Sequence, residues 1–191
     1  EVMISDEYAY KKWSDIDCCL ATPSNKVEPI KSNFHEKEET THYSVVDQWG
    51  NSVSVTTTIN GWYGSGITVD NAGFLLNNEM DDFSIKPGYP NKYGLVGSWA
   101  NAIEPGKRML SSMTPTIVED KEGDLFLVVG SPGGSTIITT VAQIISNVID
   151  YKMPLKDAVE SSRTHHQWLP DKIFLENRMF SRDIINKLID L

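Results

Sequence analysis

The sequence is poor in several things that would have fixed its class at once. It holds two cysteines in 191 residues, Cys18 and Cys19, and they are adjacent. They cannot staple distant segments and do not have metal-ligand spacing. It has no concentration of basic side chains: 17 Lys and Arg stand against 26 Asp and Glu, giving a formal charge of -9 and a pI near 4.9. That balance disfavours nucleic acid as the main partner, because phosphate neutralisation needs clustered positive charge. It has no long apolar run either. The longest, Leu125 to Val129, is far short of the roughly 20 residues that cross a bilayer, and Glu1 to Asp6 lacks the basic flank and apolar stretch of a signal peptide. Gly-x-Ser-x-Gly is absent, neither cysteine has a histidine pattern beside it, and His165-His166 has no carboxylate or cysteine partners at zinc spacing. The common serine and cysteine hydrolase signatures are therefore missing, and no metal or cofactor is assigned. His165 and His166 read as hydrogen-bonded residues near a helix end.

What is present is an ordinary globular composition, with 40% hydrophobic, 23% charged and 9% aromatic residues. That suffices for one domain, or one and a fragment. The chain changes character at residue 40. Residues 1–39 hold nine acidic side chains against five lysines, with turn signals at Thr22-Pro23-Ser24-Asn25 and Glu28-Pro29 and a polar run from His35 to Glu39. They read as a weakly structured lead-in without a core. From Thr40 the pattern is that of strands. His42 to Asp47 and Ser52 to Thr58 are β-branched runs joined through Trp49-Gly50-Asn51, a hairpin signal. Gly73 to Leu76, Thr114 to Val118 and Leu125 to Val129 are further strand candidates, the last two separated by the polar turn Glu119 to Asp124.

Helical periodicity follows. Ile137, Ile138, Val141, Ile144, Ile145, Val148 and Ile149 fall on one face, with Ser135 as the expected N-cap. A second helix is expected from Pro154 with Leu155, Ala158 and Val159 inward, and a third from Ser181 with Ile184, Ile185 and Leu188. Strands first and helices after imply a layered α+β sandwich. Between Ser84 and Lys107 lies a stretch rich in Gly, Pro and Asn, a long surface loop of the kind used as a lid, a binding loop or a plain connector.

Two segments carry chemical potential. Gly130-Ser131-Pro132-Gly133-Gly134-Ser135 lies between a buried strand and a helix start, where backbone N–H groups and the positive end of the helix can face an anion. No Gly-Lys-Ser/Thr follows, so it is not a phosphate loop. Asn77-Asn78-Glu79-Met80-Asp81-Asp82-Phe83 gathers three carboxylates in four positions. Taken alone, either is equally a tight turn or a solvated one.

Taken together, in order and spacing, a larger set of motifs resembles the small-subunit region of γ-glutamyltranspeptidases. It comprises Thr40-Thr41-His42-Tyr43-Ser44-Val45-Val46-Asp47, Thr58-Ile59-Asn60, Leu76 to Ser84, Pro105 to Met113, the glycine turn, and His165-His166-Gln167-Trp168-Leu169-Pro170. The resemblance runs from Thr40 almost to the end, and residues from about Ala21 to Glu39 look like the tail of the family's large subunit. It implies the N-terminal nucleophile hydrolase superfamily and its four-layer αββα sandwich, incomplete in this chain. It divides the chain into a large-subunit tail and linker, residues 1–39, and a catalytic region, residues 40–191, that is short at its C-terminus.

By the same resemblance Thr40 is the nucleophile, freed by self-cleavage between Glu39 and Thr40, and its new α-amine serves as base for its own hydroxyl. Thr58 orients that hydroxyl. Asn60, Glu79 and Asp82 hold the α-amino and α-carboxylate end of a γ-glutamyl group, Ser111 and Ser112 donate to its carboxylate, and the amides of Gly133 and Gly134 form the oxyanion hole. Tyr93 matches a lid tyrosine. The implied reaction takes γ-glutamyl from glutathione or a related amide and passes it to water, an amino acid or a peptide, with no cofactor. The implied partner is the large subunit of the same precursor, and the implied location is periplasmic or extracellular. The sequence departs from the family at Met109, where many relatives have Pro, and at Thr136, where they usually have Arg; most of the large subunit and its carboxylate-clamping arginine are not in this chain. Two alternatives stand beside this reading: a catalytically silent fragment, and a cephalosporin acylase-like or capsule-processing relative with the same threonine chemistry. Glu79, Asp82 and Ser111-Ser112 favour the γ-glutamyl substrate.

Overall fold

A computed structural model of the chain describes residues 5–14, 16–17, 19–23, 40–91, 95–168, 171–176 and 180–190. Glu39 and Tyr93 lie outside them.

The hairpin expected after residue 40 is present. Strands β1 (Thr40–Val46) and β2 (Ser52–Thr58) pair antiparallel, in register from Thr40 opposite Thr58 to Val46 opposite Ser52. The connection is closed by one side chain. The Asp47 carboxylate accepts from Trp49 N–H and Asn51 N–H, both at 2.9 Å, and from Asn51 Nδ2 at 2.7 Å. These donors, the Asn51 amide foremost, hold its carboxyl below the ordinary carboxylate value. Directly opposed residues point to the same side, so one face carries Thr40, His42 and Ser44 with Thr58, Thr56 and Ser54. This polar face is the one turned inward: Ser54 Oγ donates to Val129 O at 3.3 Å and Thr56 Oγ1 to Met113 O at 3.3 Å. On the other face Tyr43, Val45 and Val53 keep about half of their surface exposed.

Strands β3 (Thr116–Glu119) and β4 (Leu125–Val129) form a second antiparallel pair, with a register shift between Val118 and Glu119. Asp120 closes their turn, accepting from Glu122 N–H at 2.9 Å and Asp124 N–H at 3.0 Å. Beyond β4 the chain passes through the glycine turn into a single 3-10 turn (Gly134–Thr136) and then α2 (Ile137–Ile149). The core lies where α2 meets β4. Leu127, Val129, Ile137, Val141, Ile144 and Ala158 are buried together, with Val118, Ile145, Val148 and Met153 packed around them. Burying such side chains contributes about 1.5–3 kcal/mol each, so this contact anchors the glycine turn at both ends. Helix α3 (Leu155–Glu160) adds Ala158 to that core. A short pair, β5 (Thr164–His165) with β6 (Phe174–Leu175), and α4 (Arg182–Ile189) complete the described elements. Gln143 fastens β5 to α2: its Nε2 donates to Thr139 O at 2.7 Å and Thr164 O at 2.8 Å, and its Oε1 accepts from Thr164 N–H at 3.0 Å.

The α+β class read from the sequence is the one observed. Four local expectations are corrected. The lead-in contains a helix, α1 (Asp6–Ser14), whose Tyr10 and Trp13 stand exposed. Gly73 to Leu76 is not a strand. It makes one bridge, Thr68 to Leu75, because Asn71 and Gly73, both at positive φ, fold the chain straight back on itself. Ser135 is not the N-cap of α2, since it lies inside the 3-10 turn and spends its hydroxyl on a distant partner. Leu155 and Val159 do not turn inward with Ala158; they are 51% and 44% exposed, because a six-residue helix touches the core along one narrow line. The third expected helix does form, capped by Ser181 Oγ accepting from Ile184 N–H at 3.3 Å.

Candidate active site

A cavity of about 540 Å³ opens where the end of the first hairpin, the carboxylate-rich turn, the long loop and the glycine turn converge. Thr40, Thr58, Asn60, Glu79, Asp82, Ser112 and Gly134 line it together, although they are spread over 95 residues of sequence. Ser111 and Gly133 are next to lining residues without lining the cavity themselves. Ser111 is exposed, and its Oγ accepts from Met113 N–H at 3.3 Å within its own turn. Gly133 is buried.

Each position has a local cause. Thr40 opens β1 and Thr58 closes β2, so the register of the hairpin sets these two hydroxyl-bearing residues side by side. Thr58 Oγ1 accepts from Asn60 N–H at 2.9 Å. Asn60 is 6% exposed and adopts φ +69°, a left-handed backbone that Asn tolerates better than most residues. Its Nδ2 donates to Asn78 O at 3.1 Å, while Asn78 Oδ1 accepts from Gly61 N–H at 2.9 Å. These crossed bonds clamp the strand end to the segment that leads into a 3-10 turn (Glu79–Asp82). Asn77 Oδ1 accepts from Glu79 N–H at 2.9 Å at the head of that turn.

The described parts of the loop, residues 84–91 and 95–107, are folded and border the cavity. Its bridges Ser84 to Ala102 and Pro90 to Val96 bend it back on itself, and Ile85, Tyr89 and Leu95 face the cavity from it. Asn101 fixes it in place: its Nδ2 donates to Asp82 O at 2.7 Å and its Oδ1 accepts from Leu110 N–H at 3.0 Å, just before Ser111-Ser112. On the opposite side, Gly133 and Gly134 take φ +133° and +55° in succession. The first value is accessible essentially to glycine alone. Gly133 O accepts from Thr136 N–H at 3.0 Å and Thr136 Oγ1 at 2.7 Å, so Thr136 ties the turn to itself.

Residues to which the resemblance gave no site role also line the cavity. Asp81 adds a third carboxylate beside Glu79 and Asp82. Lys86 is the one Lys or Arg among the lining residues, its Nζ 3.7 Å from the centroid of the Tyr89 ring. Ser135 and Gln167 complete the wall beside Gly134; the His165-His166-Gln167 motif was the signal that marked this segment. His42, next but one to Thr40, packs on Gly130 and meets Thr56 Oγ1 at 2.8 Å through Nδ1 and Ser44 Oγ at 3.1 Å through Nε2. Burial lowers its pKa from the ordinary imidazole value. Among the described residues no group of three His, Cys, Asp or Glu is placed to hold a metal ion, and no helix is long and apolar enough to cross a membrane. The arrangement suits attack by a hydroxyl on an acyl carbon, with backbone donors at one wall and a surplus of carboxylate able to receive an ammonium group at the other.

Comparison with known proteins gives the family. The family model for gamma-glutamyltranspeptidase matches residues 1–191. The chain is 51% identical to the glutathione hydrolase proenzyme of Escherichia coli strain K12 over 188 residues, 98% of this chain and 32% of the relative. It therefore spans about a third of the length of that relative. Among solved structures it resembles a threonine-to-alanine mutant of Helicobacter pylori gamma-glutamyltranspeptidase, with TM-score 0.75 and 63% identity over 78% of this chain and 80% of that one. A more distant likeness is to the Bacillus anthracis transpeptidase enzyme CapD, with TM-score 0.57 and 27% identity over 78% of this chain and 73% of that one.

Proposed function

The chain belongs to the γ-glutamyltranspeptidase family, and we propose that it supplies the nucleophile of a self-cleaving γ-glutamyl transferase and hydrolase. The observation that carries this reading is the convergence of Thr40, Thr58, Glu79, Asp82 and Gly134 on one cavity.

In the maturation step Thr40 Oγ attacks the carbonyl carbon of Glu39. The C–O bond forms as the C–N bond breaks, and the hydroxyl proton passes to the departing amine, leaving an ester. Water then cleaves that ester, giving Glu39 a carboxylate and Thr40 a free α-amine and hydroxyl. An α-amine titrates at roughly 7.7–8, so near neutral pH a fraction is unprotonated and accepts the proton of its own hydroxyl.

Thr58, opposite Thr40 in the register, orients that hydroxyl. The γ-glutamyl ammonium pairs with carboxylates of the Glu79–Asp82 turn, with Asn60 beside them, and Ser111 and Ser112 donate to its α-carboxylate. As the tetrahedral intermediate forms, the N–H groups of Gly133 and Gly134 receive the oxyanion, each such donor being worth about 2.7–4 kcal/mol. Collapse expels the amine of glutathione or another γ-glutamyl amide and leaves an ester on Thr40. Water, an amino acid or a peptide then takes the acyl group in a ping-pong cycle. Tyr93, by family analogy, closes the cavity.

The partner is the large subunit, of which residues 1–39 are the tail. The half-exposed apolar face of Tyr43, Val45 and Val53 supports a further polypeptide packed against the first hairpin. Periplasmic or extracellular location follows from the same analogy. Identity of 63% to a γ-glutamyltranspeptidase against 27% to CapD favours γ-glutamyl amides over the substrates of the acylase and capsule-processing relatives.

Intact-mass measurement tests the reading. Two fragments meeting at Glu39-Thr40, abolished by Thr40→Ala, are expected, together with Thr40-dependent release of chromophore from a γ-glutamyl anilide when a large subunit is supplied. A chain that stays whole and releases nothing under those conditions is a silent fragment.

A further inference from the structure

The family mechanism uses the backbone of the glycine turn and leaves a part-buried polar chain behind it without a role. Ser135 follows Gly134 directly, is 8% exposed, and its Oγ donates to Gln167 Oε1 at 2.6 Å. The same oxygen lies 2.9 Å from His165 Nε2. An amide oxygen is an acceptor only, so both neighbours must donate to it, and this puts a proton on Nε2. His165 is itself 8% exposed. Its Nδ1 meets Thr139 Oγ1 at 2.8 Å, and Thr139 Oγ1 lies 3.0 Å from Thr136 O, one residue beyond Ser135. The path thus runs from Ser135 through Gln167 and His165 to Thr139, whose single hydroxyl proton serves either His165 Nδ1 or Thr136 O. Its base is fixed, since Gln143 bonds Thr164 to α2 and the His165 ring lies 6.0 Å from that of Phe174.

A path of this kind does more than fill space. Gly133 and Gly134 lack side chains and stand at positive φ, so nothing in their own chemistry resists reorientation of their amides. The nearest side chains that can resist it are Thr136, which donates to Gly133 O, and Ser135, where the polar chain begins. Gln167 also lines the cavity beside Gly134 and Ser135, at the point where movement of the turn would change the aim of its donors.

We propose that Gln167, braced by His165, is a positioning residue for the oxyanion-binding turn: it holds Ser135, and through it the N–H groups of Gly133 and Gly134, in the orientation the tetrahedral intermediate needs. The proposal rests on the acyl-transfer reading of the cavity. It requires that loss of the brace weaken binding of a tetrahedral species while leaving ground-state binding alone, because the ammonium and carboxylate of the ligand are gripped on the other side of the cavity.

The experiment compares two ligands on the full chain assembled with a large subunit: free glutamate, a ground-state ligand, and a boronic acid in place of the γ-carboxyl of glutamate. Thr40 Oγ adds to the trigonal boron, its proton passes to the Thr40 amine, and the resulting tetrahedral boronate presents an oxygen to the turn. Gln167→Leu is the direct variant; Ser135→Ala, which removes one hydroxyl, is the milder one. Expected for both is roughly tenfold weaker boronate binding with unchanged glutamate affinity, and a matching fall in kcat for a γ-glutamyl anilide at unchanged KM, in the range typical of residues that orient a reactive group. The double variant should be little worse than Gln167→Leu alone, because both changes cut the same path. Parallel weakening of both ligands, no weakening of either, or effects that multiply in the double variant would each overturn the proposal. If anilide release by the parent does not depend on Thr40, the acyl-transfer reading itself falls and the proposal falls with it.

Discussion

Thr40 and Thr58 form the last cross-strand pair of the β1–β2 ladder, and the Thr58 oxygen accepts from Asn60 N–H at 2.9 Å. With a lone pair committed to that backbone donor, the Thr58 hydroxyl presents a fixed oxygen beside the first residue of β1.

Thr58→Val should therefore hurt twice. It strands the N–H of Asn60, which is 6% exposed, at a cost of about 1–3 kcal/mol, and it removes the hydroxyl facing Thr40. Urea denaturation should report the first effect; cleavage at Glu39-Thr40 and anilide release should fall together as the second. Thr58→Ser should retain most of both.

A methyl group at Gly130 would overlap the His42 imidazole. Gly130→Ala should cost about 1–3 kcal/mol as an overpacked contact, and because His42 shares β1 with Thr40 the loss in activity should exceed what the fraction unfolded explains. Thermal denaturation alongside anilide kinetics separates the two.

Burial holds the His42 pKa below the ordinary imidazole value. The unfolded chain then binds more protons than the folded one in the interval between the two values, so stability rises with pH there and is lost on acidification. Over about pH 5 to 8, where imidazole charge changes, the melting temperature should fall toward the acid end. In His42→Gln that part of the fall should vanish, leaving a flatter profile.

Gly133→Ala forces a side chain into φ +133°, a strain of about 1–3 kcal/mol. If the turn relaxes to escape it, an oxyanion donor is lost, and kcat should drop by roughly 100-fold or more at little-changed KM. Circular dichroism on the same sample checks that the fold survives.

Ile137 and Ile138 are neighbours that both border the cavity, yet the first is 1% exposed in the core and the second is 48% exposed. Ile137→Ala should destabilise by about 2–5 kcal/mol, whereas Ile138→Ala should leave the unfolding midpoint nearly unchanged. Equal losses in urea titrations would contradict this assignment of the helix face.

Much of this protein could be read from local pattern alone. The β-branched runs on either side of Asp47, the polar turn at Asp120 and the apolar periodicity from Ile137 each depend on interactions within a few residues, and each formed where the sequence placed it. Of the residues that the motif resemblance named, Thr40, Asn60, Glu79, Asp82, Ser112 and Gly134 line one cavity.

Long-range partners settled the rest. The hairpin alternates between a polar and an apolar face, and hydrophobicity alone would bury Tyr43, Val45 and Val53. Instead the polar face turns inward, because Ser54 and Thr56 find carbonyl acceptors on Val129 and Met113, 75 and 57 residues away. Ser135 has the chemistry of an N-cap, yet its hydroxyl is drawn off by Gln167, 32 residues on. No window of sequence contains both partners of such a bond, so the sequence determined which elements exist, and the packing of β3 and β4 against the first hairpin, with β5 against α2, decided which polar groups became the walls of the cavity.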